Sequence, residues 1–153
     1  LKETSEGLRI SQLPITEFNR LREEEIGELN SRTTNSFELE LEIPEGGGIH
    51  LFKSDTEQTA IGYHNGKLYL DRTKSGNISF QKDFASVESV ILNPTLPSVN
   101  VRVIVDQSII EVYSQDGLYV ITDQIFPTSN KSHVETFGNT KVLHAWKLKS
   151  IIP

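Results

Sequence analysis

The chain has 153 residues, of which 36% are hydrophobic and 24% charged, and its formal net charge at pH 7 is −6. This length allows one domain with a buried core and is too short for two ordinary domains. The acidic balance argues against binding to a nucleic-acid backbone, which requires clustered Lys and Arg. The absence of cysteine excludes disulfides and thiolate metal sites, and no apolar run reaches the roughly 18 residues of a membrane-spanning helix.

The first third of the chain predicts two strands and one helix. Residues 8–13 alternate between apolar and polar and stop at Pro14, which cannot donate to a strand ladder. Residues 16–29 are the one helix candidate, with Thr16 as its cap. Residues 35–43 alternate strictly, and we expect the face that carries the glutamates at 38, 40 and 42 to lie in solvent.

The rest of the chain predicts further short strands separated by turns. Residues 77–97 form a more irregular connection, and the predicted strands are residues 49–53, 59–64, 67–72, 99–105, 110–113, 118–125, 134–137 and 142–151. About ten short strands with turn signals between them are typical of a β-sandwich or barrel. One-sided strands favour the sandwich. We therefore predict an all-β fold, a jelly-roll or concanavalin-like β-sandwich of two antiparallel sheets, as a single domain over residues 1–153.

The densest signal is a hairpin over residues 99–117. With its turn at Gln107-Ser108, Val105 lies opposite Ile110 and Val103 opposite Val112, which gives one β-branched face suited to burial. On the other face Arg102 lies opposite Tyr113 and diagonal to Glu111, so we expect an ion pair between Arg102 and Glu111.

Four segments together are similar to one known family. They are LRISQLPITEFNRLR (residues 8–22), LYLDRTKSG (68–76), VDQSIIEVYSQDG (105–117) and TDQIFP (122–127). In this order they resemble the C-terminal β-sandwich domain of glycoside hydrolase family thirty-two, the invertases, levanases, inulinases and related β-fructofuranosidases. One position departs from the pattern, because Gln107 stands where the family usually has arginine.

The resemblance implies a β-sandwich that serves a catalytic domain elsewhere in the protein. In the family, an N-terminal five-bladed β-propeller supplies the catalytic carboxylates from W-x-N-D-P, R-D-P and Glu-Cys segments. This chain has no Asp-Pro dipeptide and no cysteine, so we expect no catalytic residue, cofactor or metal in it. The implied partners are the propeller, a fructan or fructose, and a second copy in a homodimer, since in some members this domain touches a neighbouring subunit's substrate. A secreted or cell-surface location is favoured over a cytoplasmic one.

Carbohydrate sites combine an aromatic surface with planar polar groups that bind hydroxyls. The residues of these types in the matched segments are Tyr69, Asp71, Arg72, Arg102, Glu111 and Tyr113. The alternative is that Asp71, Arg72 and Glu111 form an ion-pair network that holds strand ends or a domain interface. Trp146, the single tryptophan, has apolar neighbours and is predicted to lie in the core.

Three functions stay open at this point. The first is a non-catalytic domain that supports a fructan- or sucrose-cleaving propeller, with accessory fructan binding. The second is an independent carbohydrate-binding module for the terminal fructose of levan or inulin. The third is a purely structural or dimerisation domain. Exposed aromatic rings at a concave face or on one edge would separate the second function from the first, and an apolar strip that only a missing partner could cover would point to the third.

Overall fold

The structure is a computed structural model that describes residues 1–5, 7–27, 29, 35–93, 95–128 and 133–150. These residues form strands and one short 3₁₀ helix, Thr16–Leu21. The strands are β1 (Lys2–Thr4), β2 (Gly7–Arg9), β3 (Arg22–Glu25), β4 (Ser36–Pro44), β5 (Gly47–Leu51), β6 (Gln58–His64), β7 (Lys67–Lys74), β8 (Val87–Ile91), β9 (Ser98–Asp106), β10 (Ile109–Ser114), β11 (Tyr119–Gln124), β12 (Glu135–Phe137) and β13 (Lys141–Leu148). In the described part of the chain no helix is long and apolar enough to span a membrane.

Two antiparallel sheets pack face to face. One has six strands in the order β11-β10-β9-β4-β13-β3, and the other has five in the order β12-β5-β6-β7-β8. Strands β1 and β2 form a separate two-stranded ribbon. Alternate side chains of both sheets fill the space between them, and the fully buried ones include Leu39, Leu41, Ile49, Ile61, Leu68, Leu70, Val103 and Val105. The predicted β-sandwich of two antiparallel sheets is confirmed.

The β9–β10 hairpin has the predicted register. Val105 pairs with Ile110, Val103 with Val112, and Arg102 with Tyr113. The turn is closed by Gln107 at φ 56°, a left-handed conformation that a two-residue hairpin turn needs. The β-branched face is buried in the core, as its period of two predicts.

Three sequence expectations for secondary structure are wrong. The helix predicted over residues 16–29 ends at Leu21, and the glutamate-rich segment that follows it is strand β3, which pairs with β13 at the edge of the sheet. The irregular connection over residues 77–97 contains strand β8. The first predicted strand, residues 8–13, keeps strand pairing only as far as Arg9.

The segment of residues 10–21, here called the strap, is joined to the six-stranded sheet. Its Gln12 amide donates to the Gly117 carbonyl (2.9 Å) and its Ser11 hydroxyl to the Asp116 carbonyl (2.6 Å). Farther along, Phe18 and Leu21 pack on a small apolar cluster of Ile104, Tyr113 and Leu148 outside the main core. The strap therefore occupies the outer side of the six-stranded sheet.

Candidate functional site

The six predicted sugar-binding residues lie at three separate places. Tyr69 and Asp71 alternate with the core residues Leu68 and Leu70 and therefore point away from the core of the five-stranded sheet. Glu111 and Tyr113, with Arg102 on β9, lie on the outer side of the six-stranded sheet. Arg72 lies between the two sheets at their edge. No single site contains all six.

Arg72 connects the two sheets. Its Nη1 lies 3.1 Å from Asp123 Oδ1 on β11 and donates to the Gln124 carbonyl at 3.1 Å. Its Nε donates to the Ser86 hydroxyl at 3.1 Å, and its guanidinium carbon lies 4.4 Å from the Phe84 ring centroid. These contacts occupy the guanidinium, so the geometry favours the ion-pair interpretation of Arg72, with Asp123 rather than Glu111 as its partner.

Asp123 is itself nearly buried, with 8% of its surface exposed. Burial raises the pKa of its carboxyl group, while the positive charge of Arg72 acts in the opposite direction. Its second oxygen, Oδ2, is buried, and none of the described residues donates a hydrogen bond to it. The ionised form of a buried carboxyl group such as Asp123 is stabilised by the neighbouring cation, here Arg72.

Arg102 pairs with Glu38 instead of Glu111. Its Nε lies 2.7 Å from Glu38 Oε1, and its Nη2 donates to Asn19 Oδ1 of the strap at 3.1 Å. Arg22 approaches the same carboxylate from β3, with Nε 3.1 Å from Oε2 and Nη2 2.5 Å from Oε1. Glu38 is therefore fully buried between two arginines, and the expectation that its strand face lies in solvent is wrong at this position.

Tyr113 offers little surface to a ligand. It packs against Ile104 and Leu148 beneath the strap and is 8% exposed. Burial, followed by the charge of Glu111 and a hydrogen bond with that carboxylate, raises the pKa of the Tyr113 hydroxyl to about 12. Its edge, together with Arg102, borders an open groove of 610 Å³ whose polar lining includes Glu40, Glu42 and Asn100.

Tyr69 and Asp71 are more accessible, on the outer face of the five-stranded sheet. Asp71 Oδ1 accepts hydrogen bonds from the Thr73 amide (2.9 Å) and hydroxyl (2.6 Å), which hold the carboxylate in place. Burial, and then the charge of Asp71, raises the pKa of the Tyr69 hydroxyl. Of the six candidates, Tyr69 supplies a ring and Asp71 a carboxylate on the same face, and the strap does not cover this face.

Two further aromatic residues of this face were missed by the sequence analysis. Phe137 on β12 stacks on His50 of β5, with ring centroids 4.7 Å apart and planes at 28°. Phe137 pairs with Gly48, Gly48 with Gly62, and Gly62 with Tyr69, so the four residues form one row across the sheet. The available signal was glycine at outward positions next to core isoleucines, a pattern that leaves room for rings from neighbouring strands.

Trp146 is neither in the core nor available to a sugar. It lies half-buried on the outer side of β13 opposite Glu38. The Arg22 guanidinium carbon lies 3.6 Å from its ring centroid, and His144 stacks on it with centroids 5.2 Å apart. The predicted core position is therefore wrong, because the tryptophan belongs to the charged outer layer around Glu38.

Comparison with known proteins agrees with this architecture. The family model for "Glycosyl hydrolases family 32 C terminal" matches residues 5–150. The chain belongs to the C-terminal domain family of glycosyl hydrolase family 32. It is 33% identical to a levanase of Bacillus sp. (strain L7), over 96% of this chain and 19% of that protein. It is 41% identical to the extracellular exo-inulinase of Aspergillus awamori, over 59% of this chain and 18% of that protein.

The solved structures show the same relation in three dimensions. The exo-inulinase from Aspergillus awamori superposes with a TM-score of 0.79 at 25% identity, covering 97% of this chain and 34% of the other. Sucrose-6-phosphate hydrolase from Lactobacillus gasseri superposes with a TM-score of 0.76 at 26% identity, covering 93% of this chain and 31% of the other. The chain thus corresponds to the non-catalytic C-terminal domain of larger enzymes whose catalytic domain is N-terminal.

Within this family domain, the matched segments acquire structural roles. The Arg72 of LYLDRTKSG and the Asp123 of TDQIFP meet as the pair that joins the two sheets. The segment of residues 8–22 contains the strap, and its last residue, Arg22, reaches Glu38. Within the described residues, no group of three or more His, Asp or Glu side chains is arranged to hold a metal ion.

Proposed function

We propose that this domain supports the N-terminal catalytic propeller of a secreted β-fructoside hydrolase of the levanase or inulinase type. Residues 1–153 act as one domain that packs against the propeller and stabilises it. The proposal is supported by relatives described as levanases and as extracellular exo-inulinases, of which the chain covers about a fifth of the length. Hydrolysis of the β-fructoside takes place on the propeller.

The observation that carries this proposal is an apolar strip at the start of the chain. Leu8, Ile10, Leu13 and Ile15 are between 55% and 72% exposed, although the backbone between them is hydrogen-bonded to the β10–β11 turn. Contiguous exposed apolar side chains mark a surface that is covered in the working protein. The strip also borders the groove of Glu40, Arg102 and Tyr113, because Leu13 belongs to the strip and lines this groove.

The test uses the whole enzyme that contains this domain. Replacing Ile10 and Ile15 by serine should shorten the half-life of activity at elevated temperature several-fold, because the apolar contact with the propeller is lost. Unfolding of the 153-residue chain alone should stay unchanged, since both side chains are already exposed in it. The matched control replaces Val87 and Ile91 by serine. These residues lie on β8 and are 52% and 69% exposed. Equal inactivation of both double variants would contradict the proposal.

The alternative is that a second copy of the protein covers the same apolar strip in a homodimer. Light scattering on the whole enzyme separates the two, because loss of a dimer would halve the measured mass in the Ile10→Ser/Ile15→Ser variant. Loss of propeller contact alone would leave the mass unchanged and lower only the thermal stability.

Accessory fructan binding is a second candidate function. It is favoured by the aromatic rings on the outer face of the five-stranded sheet, where Tyr69 stands beside the Asp71 carboxylate. Calorimetric titration of the chain with levan and inulin oligosaccharides tests it directly. Saturable heat is expected for at least one of them, and no heat at millimolar concentration would contradict this function.

A further inference from the structure

We propose that a β-fructan chain binds on the outer face of the five-stranded sheet, across an aromatic patch formed by Phe137, His50 and Tyr69. The inference rests on accessory fructan binding as the second proposed function and gives it a location. Two of the three residues, Phe137 and His50, lie outside the segments that suggested sugar binding in the first place.

The patch owes its shape to two glycines in its centre. A Cβ atom at Gly48 would lie 2.5 Å from Phe137 Cζ, and one at Gly62 would lie 2.4 Å from the Tyr69 hydroxyl and 2.6 Å from its Cζ. The two rings therefore occupy the space directly above the backbone of β5 and β6 and approach each other from opposite sides. Side chains at positions 48 and 62 would force both rings off the sheet.

The neighbouring row continues this surface. His50 pairs across the sheet with Ala60, and Ala60 with Asp71, so a small side chain again lies between a ring and a polar group. His50 stacks on Phe137, which extends the patch along β5. The result is a surface in which the rings of Phe137 and Tyr69 cover Gly48 and Gly62, with His50 beside the small side chain of Ala60.

Polar groups surround the rings where a sugar would need them. Asp71 is fixed through Oδ1 by Thr73, and both of these hydrogen bonds leave Oδ2 for a ligand hydroxyl. On the other side of Tyr69, an open groove of 640 Å³ is lined by His64, Asn65, Lys67 and Ser89 among others. Apolar C–H faces pack on aromatic rings while vicinal hydroxyls bind carboxylates and amides, so this combination suits a neutral carbohydrate.

The position of the patch leaves it accessible when the proposed partner is in place. The apolar strip lies at the strap, which is attached to the β10–β11 turn of the six-stranded sheet. The patch is on the outer face of the opposite sheet. A catalytic domain seated on the strip would therefore leave the rings free for a second segment of the polysaccharide.

The experiment combines calorimetry with nuclear magnetic resonance on the 153-residue chain. The probes are levan and inulin oligosaccharides, with dextran oligosaccharides as a neutral polysaccharide of different sugar. Tyr69→Ala should weaken fructan binding about tenfold, since an aromatic contact of roughly 1.4 kcal/mol is lost. Tyr69→Phe keeps the ring and should bind within about twofold of the original chain. Phe80→Ala, which removes an exposed ring outside the patch, should have no effect.

Location is read from amide chemical shifts, which need no substitution. Titration should move the signals of Gly48, Gly62 and Tyr69 and leave that of Gln12 in the strap unchanged. Fructan binding with shifts confined to Arg102 and Tyr113 would overturn the patch while keeping fructan binding as a function. Absence of binding, or equal affinity for dextran, would overturn both. None of these results would affect support of the propeller, which the thermal inactivation experiment tests separately.

Discussion

Glu38 is a fully buried carboxylate on a strand whose other outward glutamates remain partly exposed. Removing a charge from water costs several kcal/mol, and the cost is offset only where cations and hydrogen bonds replace the water. Arg22 and Arg102 supply both from two different strands. Trp146 stacks on the Arg22 guanidinium and covers it from the side of β13.

Replacing Glu38 by alanine should lower the free energy of unfolding by about 3–5 kcal/mol, because the largely buried Arg102 loses its carboxylate partner and Arg22 is left with Glu40. Glu42→Ala is the matched control on the same strand face. Glu42 pairs at 3.3 Å with Lys141, whose side chain is 67% exposed, so its loss should cost about 0–1 kcal/mol. Urea denaturation of the chain measures both values, and equal losses would show that the burial of Glu38 is energetically unimportant.

The sequence predicted the face on which Glu38 lies but not its environment. Strict alternation over residues 35–43 determines which side chains point away from the core, and this part of the prediction was correct. The two arginines come from strands that are distant along the chain and adjacent only in the folded sheet. No local pattern contains that information, so an alternating glutamate face is indistinguishable from an ordinary solvent face.

At the level of elements, the strap depends on the turn between β10 and β11. Gly117 in this turn has φ +76°, and a Cβ atom there would lie 2.1 Å from the Gln12 carbonyl oxygen. Alanine is disfavoured in this left-handed conformation by roughly 1–2 kcal/mol and would also push the strap outward. The apolar strip would then lose the backbone contact that fixes it.

Gly117→Ala should therefore increase hydrogen exchange at the Gln12 amide by at least about tenfold, the equivalent of roughly 1.4 kcal/mol of lost local stability. Gly27→Ala is the control, because no residue that the structure describes would lie within 4 Å of a Cβ atom at Gly27. Exchange in the core strand β4 should be affected much less. Unchanged protection of Gln12 in Gly117→Ala would mean that the strap is held by other contacts.

Elements with a strong period of two were predicted well, and those defined by tertiary contacts were not. The β9–β10 hairpin was correct in its register because β-branched residues repeat on both strands. The predicted helix failed beyond Leu21, since pairing of β3 with β13 outweighs the weak helical pattern of its glutamates. Strand β8 was missed because Val87–Ile91 is an edge strand with exposed apolar residues and no clear alternation in burial.

For the whole molecule, the sites depend on the order of the strands in the sheets. The row of Phe137, Gly48, Gly62 and Tyr69 exists only because β12, β5, β6 and β7 are neighbours in that order. Sequence motifs identified Tyr69 and Asp71 but gave no reason to place Phe137 beside them. The same holds for Arg72 and Asp123, which belong to two matched segments whose contact becomes visible only when both sheets are assembled.

Removing Arg72 should make the free energy of unfolding depend on pH, because the buried Asp123 carboxyl then has lost its cation. Burial already raises the pKa of Asp123, and Arg72 opposes this rise. In Arg72→Met the folded-state pKa rises further above its unfolded value of about 4. A raised carboxyl pKa contributes stability that is present below the unfolded pKa and is lost as pH rises through the folded one.

Arg72→Met should thus destabilise the chain by about 3–5 kcal/mol at pH 7 and by much less at about pH 3, below the unfolded pKa, where Asp123 is largely protonated in both states. Urea denaturation at a series of pH values measures the difference from the original chain. The double variant Arg72→Met/Asp123→Asn should show the same loss at both pH values, because it no longer buries a titrating carboxyl. If the single variant also lost the same amount at both pH values, its destabilisation would come from the missing contacts of Arg72 with Phe84, Ser86 and Gln124 rather than from the uncompensated charge of Asp123.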